Sequence, residues 1–357
     1  MIPKRILIAL GPSAGGVGTH VRQLYAGLTE RGHDVRVAGP SALGERILAS
    51  LGDAFCPVEL PGAWKTSRTA LRELTGLCGD ADLLHVHGLR AGMVGVFAAR
   101  RARIPSVVEL HNLVTRETGG STWRATRAAE PLIGRLATES IGISPEISAQ
   151  LGSRARTILL AVEAPGAPRG RGETRALLGA ADDDVLAICV ARFQPQKSLH
   201  TLVEAACHLD PGIRVLLVGD GSLRQEIEDQ IASTGARVEL LGLRDDVGDL
   251  LVAADIAVLS SAWEGVPFFV HEAAWCGLPL VATDVGGTPI VVRDGETGVL
   301  VPPSRPDMIA QALNMLAGDP ELRARLGATA HDVEVAEFSM SAMLTAIESV
   351  YEEALRR

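Results

Sequence analysis

The sequence predicts an α/β protein built from two doubly wound parallel sheets. Three observations carry that expectation. At 357 residues the chain is longer than one ordinary core accommodates. Short apolar, β-branched runs alternate with helix-like segments along its whole length. The alternation breaks once, in a Pro/Gly-rich stretch after Val162, and then restarts. With 47% apolar and 22% charged residues the composition is that of a folded globular chain. No apolar run reaches the roughly 18 residues that a membrane-spanning helix needs.

In the first half, residues 5–10, 34–38, 83–87, 106–110, 140–143 and 157–162 read as strands. Their continuous apolarity implies burial on both faces, as in a parallel sheet covered by helices. Segments such as 19–30 lie between them, with Val21, Leu24, Tyr25 and Leu28 at helical spacing. The run from Glu163 to Glu173 is expected to hold no regular element. Strand patterns resume at 185–191, 214–218, 238–241, 256–260 and 280–283. The expected organisation is a first Rossmann-like domain over 1–162, a linker over 163–184, a second over 185–337, and an amphipathic helix over 338–357. In such sheets ligands gather at the carboxyl ends of the strands, so a cleft between facing domains is the expected site.

The basic N-terminus followed by Ile6-Leu-Ile-Ala-Leu10 is read as a first strand rather than a signal peptide, because a Gly-rich turn follows and no small-residue cleavage pattern appears. Cytoplasmic residence is the expectation. The five cysteines lack metal-ligand spacing and read as reduced thiols. The net charge of −9 hides an asymmetry: bases outnumber acids over 1–160, and acids outnumber bases two to one thereafter. A basic first half fits an anionic surface or substrate, including peripheral membrane contact through the Arg-bearing stretch 123–136. No nucleic-acid-binding pattern is present.

The most informative stretch is Glu264-Gly-Val-Pro-Phe-Phe-Val-His-Glu272, which follows the apolar run 256–260. It sets two carboxylates around a turn that opens into a helix. Pro267 suits the first helical turn, whose free N–H groups attract anions. Carboxylates accept hydrogen bonds from vicinal hydroxyls, so the combination suits a polyol beside a phosphate. Arg192 and Lys197 follow the strand pattern at 185–191, where two cations could neutralise a departing diphosphate. The loop Gly11-Pro-Ser-Ala-Gly-Gly-Val-Gly-Thr-His20 is placed to cradle phosphate, but its spacing is neither the dinucleotide fingerprint nor a Walker loop.

These residues resemble the Glu-Gly-Xaa-Pro-(four residues)-Glu motif of the retaining GT-B glycosyltransferases of family 4, and Ala274, Gly277 and Pro279 continue the likeness. The resemblance implies the GT-B fold and a nucleotide-sugar donor. It implies that Glu272 holds the ribose diol and Glu264 the sugar hydroxyls, with Gly265, Val266, Pro267, Phe268 and Phe269 along the sugar and phosphate. Arg192 and Lys197 would stabilise the leaving group, although Ala191, Phe193 and Ser198 depart from the family pattern. Gly15 and Gly16 would form the diphosphate turn, and Leu243 would meet the base. His111 would contact the donor sugar. His20 is a weaker candidate for acceptor or phosphate, and His271 reads as a packing residue.

His85 and His87 are read as facing opposite sides of their strand, which tells against a metal pair. Asp80-Ala-Asp82 and the acids at 182–184 are read as solvated. The expectation is no metal and no cofactor, with the nucleotide sugar as co-substrate. The leading function is a retaining, metal-independent transferase moving sugar from a UDP- or GDP-sugar to a glycan, lipid-linked or small-molecule acceptor. The alternatives are a non-transferring GT-B relative such as a nucleotide-sugar epimerase, or a catalytically silent nucleotide-sugar-binding protein.

Overall fold

The computed structural model describes every residue except 1, 13–15, 45–48, 61–67, 113–122 and 182. The chain divides into two units, residues 1–160 with 340–357, and residues 161–339. Each holds one parallel sheet, as the apolar runs predict.

In the first unit the described strands are β1 (Arg5–Leu10), β2 (Asp34–Gly39), β3 (Phe55–Pro57), β4 (Leu83–His87), β5 (Ser106–Leu110), β6 (Glu139–Gly142) and β7 (Arg156–Thr157). They lie in the order β3-β2-β1-β4-β5-β6-β7, all neighbours parallel. The order reverses between β1 and β4, the topological switch point where doubly wound sheets place their ligands. All of β4 and β5 is buried, including the polar His85, His87, Ser106 and Glu109. The expected strand at 157–162 is shorter: only Arg156 and Thr157 pair with β6. Leu160, Ala161 and Val162 are buried outside any strand, so their apolarity reflects packing.

The helix Gly16–Glu30 buries Val21, Leu24 and Leu28 against this sheet. The final helix, Met340–Arg356, packs on the same unit. Arg31 donates to Glu348 at 2.5 Å and to the Ser341 carbonyl at 2.9 Å. A Cβ at Gly27 would lie 2.4 Å from a terminal methyl of Leu344, so a larger residue would require that side chain to move.

The second unit holds β8 (Val185–Val190), β9 (Ile213–Val218), β10 (Val238–Gly242), β11 (Ile256–Leu259), β12 (Leu280–Thr283) and β13 (Gly298–Val301), in the order β10-β9-β8-β11-β12-β13. Its switch point falls between β8 and β11. The stretch read as a linker is part of this unit and carries the helix Gly170–Leu177. Its prolines, Pro165 and Pro168, fall only at its beginning. Beyond that, Asp249 accepts from the Arg169 N–H at 2.8 Å, and Arg171 and Arg175 pair with Asp255 at 2.5 and 3.0 Å. Among the described residues no helix is long and apolar enough to cross a membrane.

Candidate functional site

In the second unit the loops leaving β8 and β11 meet at the switch point. Past Val190 the chain passes through Arg192, which is exposed and makes no ion pair among the described residues. It then enters the short turn Pro195–Lys197. Lys197 Nζ lies 2.5 Å from Glu264 Oε1, and Ser261 Oγ donates to the same oxygen at 2.5 Å. The two loops are laced together along their backbones. Ser260 Oγ donates to the carbonyls of Lys197 and Ser198 at 3.1 and 3.2 Å, and the Ala262 N–H donates to the Gln196 carbonyl at 2.9 Å. Gln196 Nε2 donates to the Trp263 carbonyl at 3.0 Å. A buried acid and a part-buried cation thus balance each other on a fixed frame.

A third segment supports this frame. Gly286 adopts φ +52°, and a Cβ there would lie 1.8 Å from the Glu264 carbonyl oxygen. Only a glycine fits that approach and that dihedral together. At Gly287 a Cβ would lie 2.0 Å from the Gly265 carbonyl oxygen. Sequence reasoning missed this pair, although Val285-Gly-Gly-Thr-Pro289 directly after β12 was the signal for it.

Pro267 precedes the helix Phe268–Trp275 as its cap, extended at φ −76° and ψ 122°, rather than standing inside the first turn. Gly265, Val266 and Phe269 are buried, and Phe268 is half-buried. Glu272 lies in the second turn, part-buried, and its carboxylate has no hydrogen bond or ion pair among the described residues. Burial pushes its carboxyl up to about 7. Leu243, after β10, is 73% exposed. The site therefore offers an unpaired guanidinium, an unpaired carboxylate and a Lys–Glu pair that a ligand would have to share.

The first unit concentrates a different chemistry at its own switch point. Gly16 begins the helix that follows β1, and Gly15 lies outside the described residues. His20 on that helix, His87 at the end of β4, Glu109 on β5 and His111 just past β5 are all buried. The register explains the convergence, since His87 stands opposite Glu109 and Leu10 opposite His87. His20 Nε2 lies 2.9 Å and His111 Nε2 3.3 Å from Glu109 Oε1, while His87 Nδ1 and His111 Nε2 are 3.0 Å apart.

The expectation that His85 and His87 face opposite sides is wrong. Residues two apart share one face of a strand, and the two rings lie 4.3 Å apart. His85 Nε2 is 3.2 Å from Glu109 Oε2, and its Nδ1 is 2.7 Å from the Tyr351 hydroxyl of the final helix. Burial holds the Tyr351 phenol protonated. Burial also pushes His111 down to about 4 and His87 well below its ordinary value, against the pull of Glu109.

The remaining candidates are structural. His271 Nδ1 meets Glu334 at 2.9 Å in a buried pair. Asp82 is tied to Arg5 at 2.7 Å, half-exposed, so Asp80-Ala-Asp82 is a surface ion pair.

Comparison with known proteins identifies the family. The family described as Glycosyl transferases group 1 matches residues 171–333, and the Glycosyl transferase 4-like domain matches residues 15–162. A D-inositol 3-phosphate glycosyltransferase of Streptomyces bingchenggensis is 31% identical over 83% of this chain and 70% of that protein. Its counterpart from Nocardia farcinica is 30% identical over 89% of this chain and 81% of that protein. Among solved structures, Anabaena Alr3699/HepE in complex with UDP-glucose superposes with a TM-score of 0.87 at 23% identity, covering 98% of this chain and 99% of that one. WaaG, a glycosyltransferase involved in lipopolysaccharide biosynthesis, superposes at 0.73 with 16% identity over 97% of this chain and 99% of that one.

Proposed function

This chain belongs to the group 1 glycosyltransferases with the GT-B fold, and from that premise we propose that it transfers a sugar, with retention of anomeric configuration, from a UDP- or GDP-sugar to a glycan, lipid-linked or small-molecule acceptor. Glycosyl transfer itself follows from the family. The observation that carries the donor reading is the Lys197–Glu264 pair fixed at the switch point, with Arg192 and Glu272 left unpaired beside it in sequence.

Arg192 and Lys197 neutralise the diphosphate as negative charge develops on it, the largest single contribution such a site makes. Glu264 accepts from hydroxyls of the transferred sugar, and Glu272 accepts from the ribose diol. Gly16 and the segment from Gly265 to Phe269 offer backbone groups to phosphate and sugar oxygens. Leu243 lies against the base, and His111 contributes to the sugar from the first unit. The anomeric carbon–oxygen bond to the phosphate breaks, a bond to the acceptor oxygen forms on the same face, and the acceptor proton passes to the departing phosphate oxygen. Positioning and charge stabilisation carry the rate. On this reading no divalent ion is needed at the diphosphate.

The HepE complex with UDP-glucose puts UDP-sugars first among donors to try, and the relatives named for D-inositol 3-phosphate put phosphorylated polyols first among acceptors. The test is a donor screen reading UDP or GDP release with and without acceptors, followed by NMR of the product anomer. Acceptor-dependent release, an α-linked product from an α-linked donor and no rate increase on adding Mg2+ or Mn2+ are expected. An inverted product would overturn retention. A sugar altered without transfer would return the epimerase reading, and binding without turnover the silent one.

A further inference from the structure

We propose that Ser261 is a positioning residue for sugar transfer: it holds Glu264 by Oε1, so that Oε2 is the oxygen left to accept from the donor sugar. The proposal rests on the assignment of Glu264 to the sugar hydroxyls and adds the residue that aims it. Ser261 lies two positions past β11 and three before Glu264, and it is fully buried. Its hydroxyl donates to Glu264 Oε1 at 2.5 Å, and Lys197 Nζ reaches the same oxygen at 2.5 Å. A carboxylate oxygen has two lone pairs, so two donors saturate it. Oε2 accepts from no group among the described residues. Glu264 is 4% exposed, and an oxygen that far removed from water stays unsatisfied until a ligand or an ordered water donates to it.

Lys197 and Ser261 contribute differently to that arrangement. An ammonium is a point charge on a long flexible stem, so it holds the carboxylate without fixing which way it turns. A hydroxyl one carbon from the backbone supplies the direction. Ser261 is itself fixed, because Thr283 Oγ1, buried at the end of β12, donates to its carbonyl at 2.7 Å. Thr283 in turn stands opposite Val301 of β13. The path from the sheet through Thr283 and Ser261 to Glu264 is therefore short and has few rotatable bonds. Without the Ser261 hydroxyl, Lys197 is free to engage both oxygens of Glu264, which takes Oε2 from the sugar and a second N–H from the diphosphate.

Steady-state kinetics with UDP-glucose, or with the donor that replaces it in the screen, test this beside calorimetry of the free nucleoside diphosphate. Ser261→Ala should lower kcat/KM for the donor by about tenfold to a hundredfold, chiefly through kcat. Affinity for the nucleoside diphosphate, which has no transferred sugar, should stay within about twofold of the parent. Ser261→Cys keeps nearly the same shape with only a weak donor, and should lose turnover in the same way. Because Ser261 acts through Glu264, the Ser261→Ala/Glu264→Gln variant should match Glu264→Gln to within about twofold instead of showing the product of the two losses.

Thr297→Val supplies the comparison for a purely structural loss. It removes another buried hydroxyl of the same unit, one that donates to the Val291 carbonyl at 3.0 Å just before β13 begins. The melting temperature should fall and kcat/KM should not change. The proposal is overturned if Ser261→Ala and Ser261→Cys keep the parent kcat/KM, if the losses at Ser261 and Glu264 multiply, or if Thr297→Val lowers kcat/KM as much. A Glu264→Gln variant with parent kinetics would remove the sugar contact of Glu264 itself, and the proposal with it.

Discussion

The two units place different chemistry at equivalent positions of equivalent sheets. In the second, the switch point holds a part-buried cation paired with a buried acid, and Arg192 and Glu272, near them in sequence, make no hydrogen bond or ion pair among the described residues. In the first, it holds a dry cluster of imidazoles around one carboxylate, backed by a tyrosine. The second site is built by backbone: loop-to-loop hydrogen bonds and a glycine pair fix where Lys197 and Glu264 stand. The first is built by strand register, which stacks side chains from three elements into one closed volume. A site of the former kind can be shared with a ligand, whereas in the latter most polar contacts run within the cluster.

The sharpest way to break that contrast is Lys197→Ala. Removing a fixed cation from a leaving group is expected to lower turnover by about 10²–10³-fold. It also leaves Glu264 buried without its partner, which should lower stability by about 3 kcal/mol. The combined Lys197→Ala/Glu264→Gln variant separates the two effects. Thermal stability should largely return and turnover should not. If turnover returned with stability, Lys197 would be scaffolding alone. Gly286→Ala follows in size: its methyl would meet the Glu264 carbonyl and sit at a left-handed φ, so a loss above about 1 kcal/mol is expected together with reduced turnover. An unaffected variant would show that the Glu264 loop needs no backbone support.

How much of each site is legible in the sequence follows from how it is built. Glu264 and Glu272 belong to one contiguous motif, and Arg192 and Lys197 to another, so local spacing picks them out as candidates. Their mutual pairing was not legible, because it spans 67 positions and depends on β8 lying beside β11. The first-unit cluster draws on positions 20, 87, 109 and 111, and parallel pairing of β4 with β5 brings them together. One signal was available: His85 and His87, two apart in a strand, must share a face. Reading them as opposed hid the cluster. The parallel sheets were legible because burial on both faces writes itself as apolar runs. The helix Gly170–Leu177 was not, because the Pro and Gly before it outweighed the arginines that anchor it.

Glu272 sharpens the contrast through pH. Its carboxyl titrates near 7 in the folded chain against an ordinary 4.5, because burial disfavours the charge. Folding therefore favours the protonated form. That contribution to stability is complete below the unfolded value and is lost as pH rises through about 7. Nucleotide binding should run the other way, since the ionised carboxylate accepts two hydroxyl hydrogen bonds and the acid fewer. Affinity for the free nucleoside diphosphate is expected to rise by up to about tenfold between pH 6 and 8, read by calorimetry. Glu272→Ala should lose about tenfold and flatten the profile. A variant that kept the slope would move the titration to another group.

The smallest expected effect probes the self-contained side. Tyr351→Phe removes one buried hydroxyl and leaves His85 Nδ1 without its hydrogen-bond partner, at a cost of about 1 kcal/mol in stability. Tyr351 and His85 both belong to the first unit, so nucleotide affinity and its pH slope should be those of the parent. If the first unit's cluster serves its own fold, the whole effect appears as a lowered melting temperature. Should Tyr351→Phe instead lower turnover at unchanged stability, the register-built cluster would be working on substrate as directly as the loop-built one, and the division between a closed site and a shared one would fall.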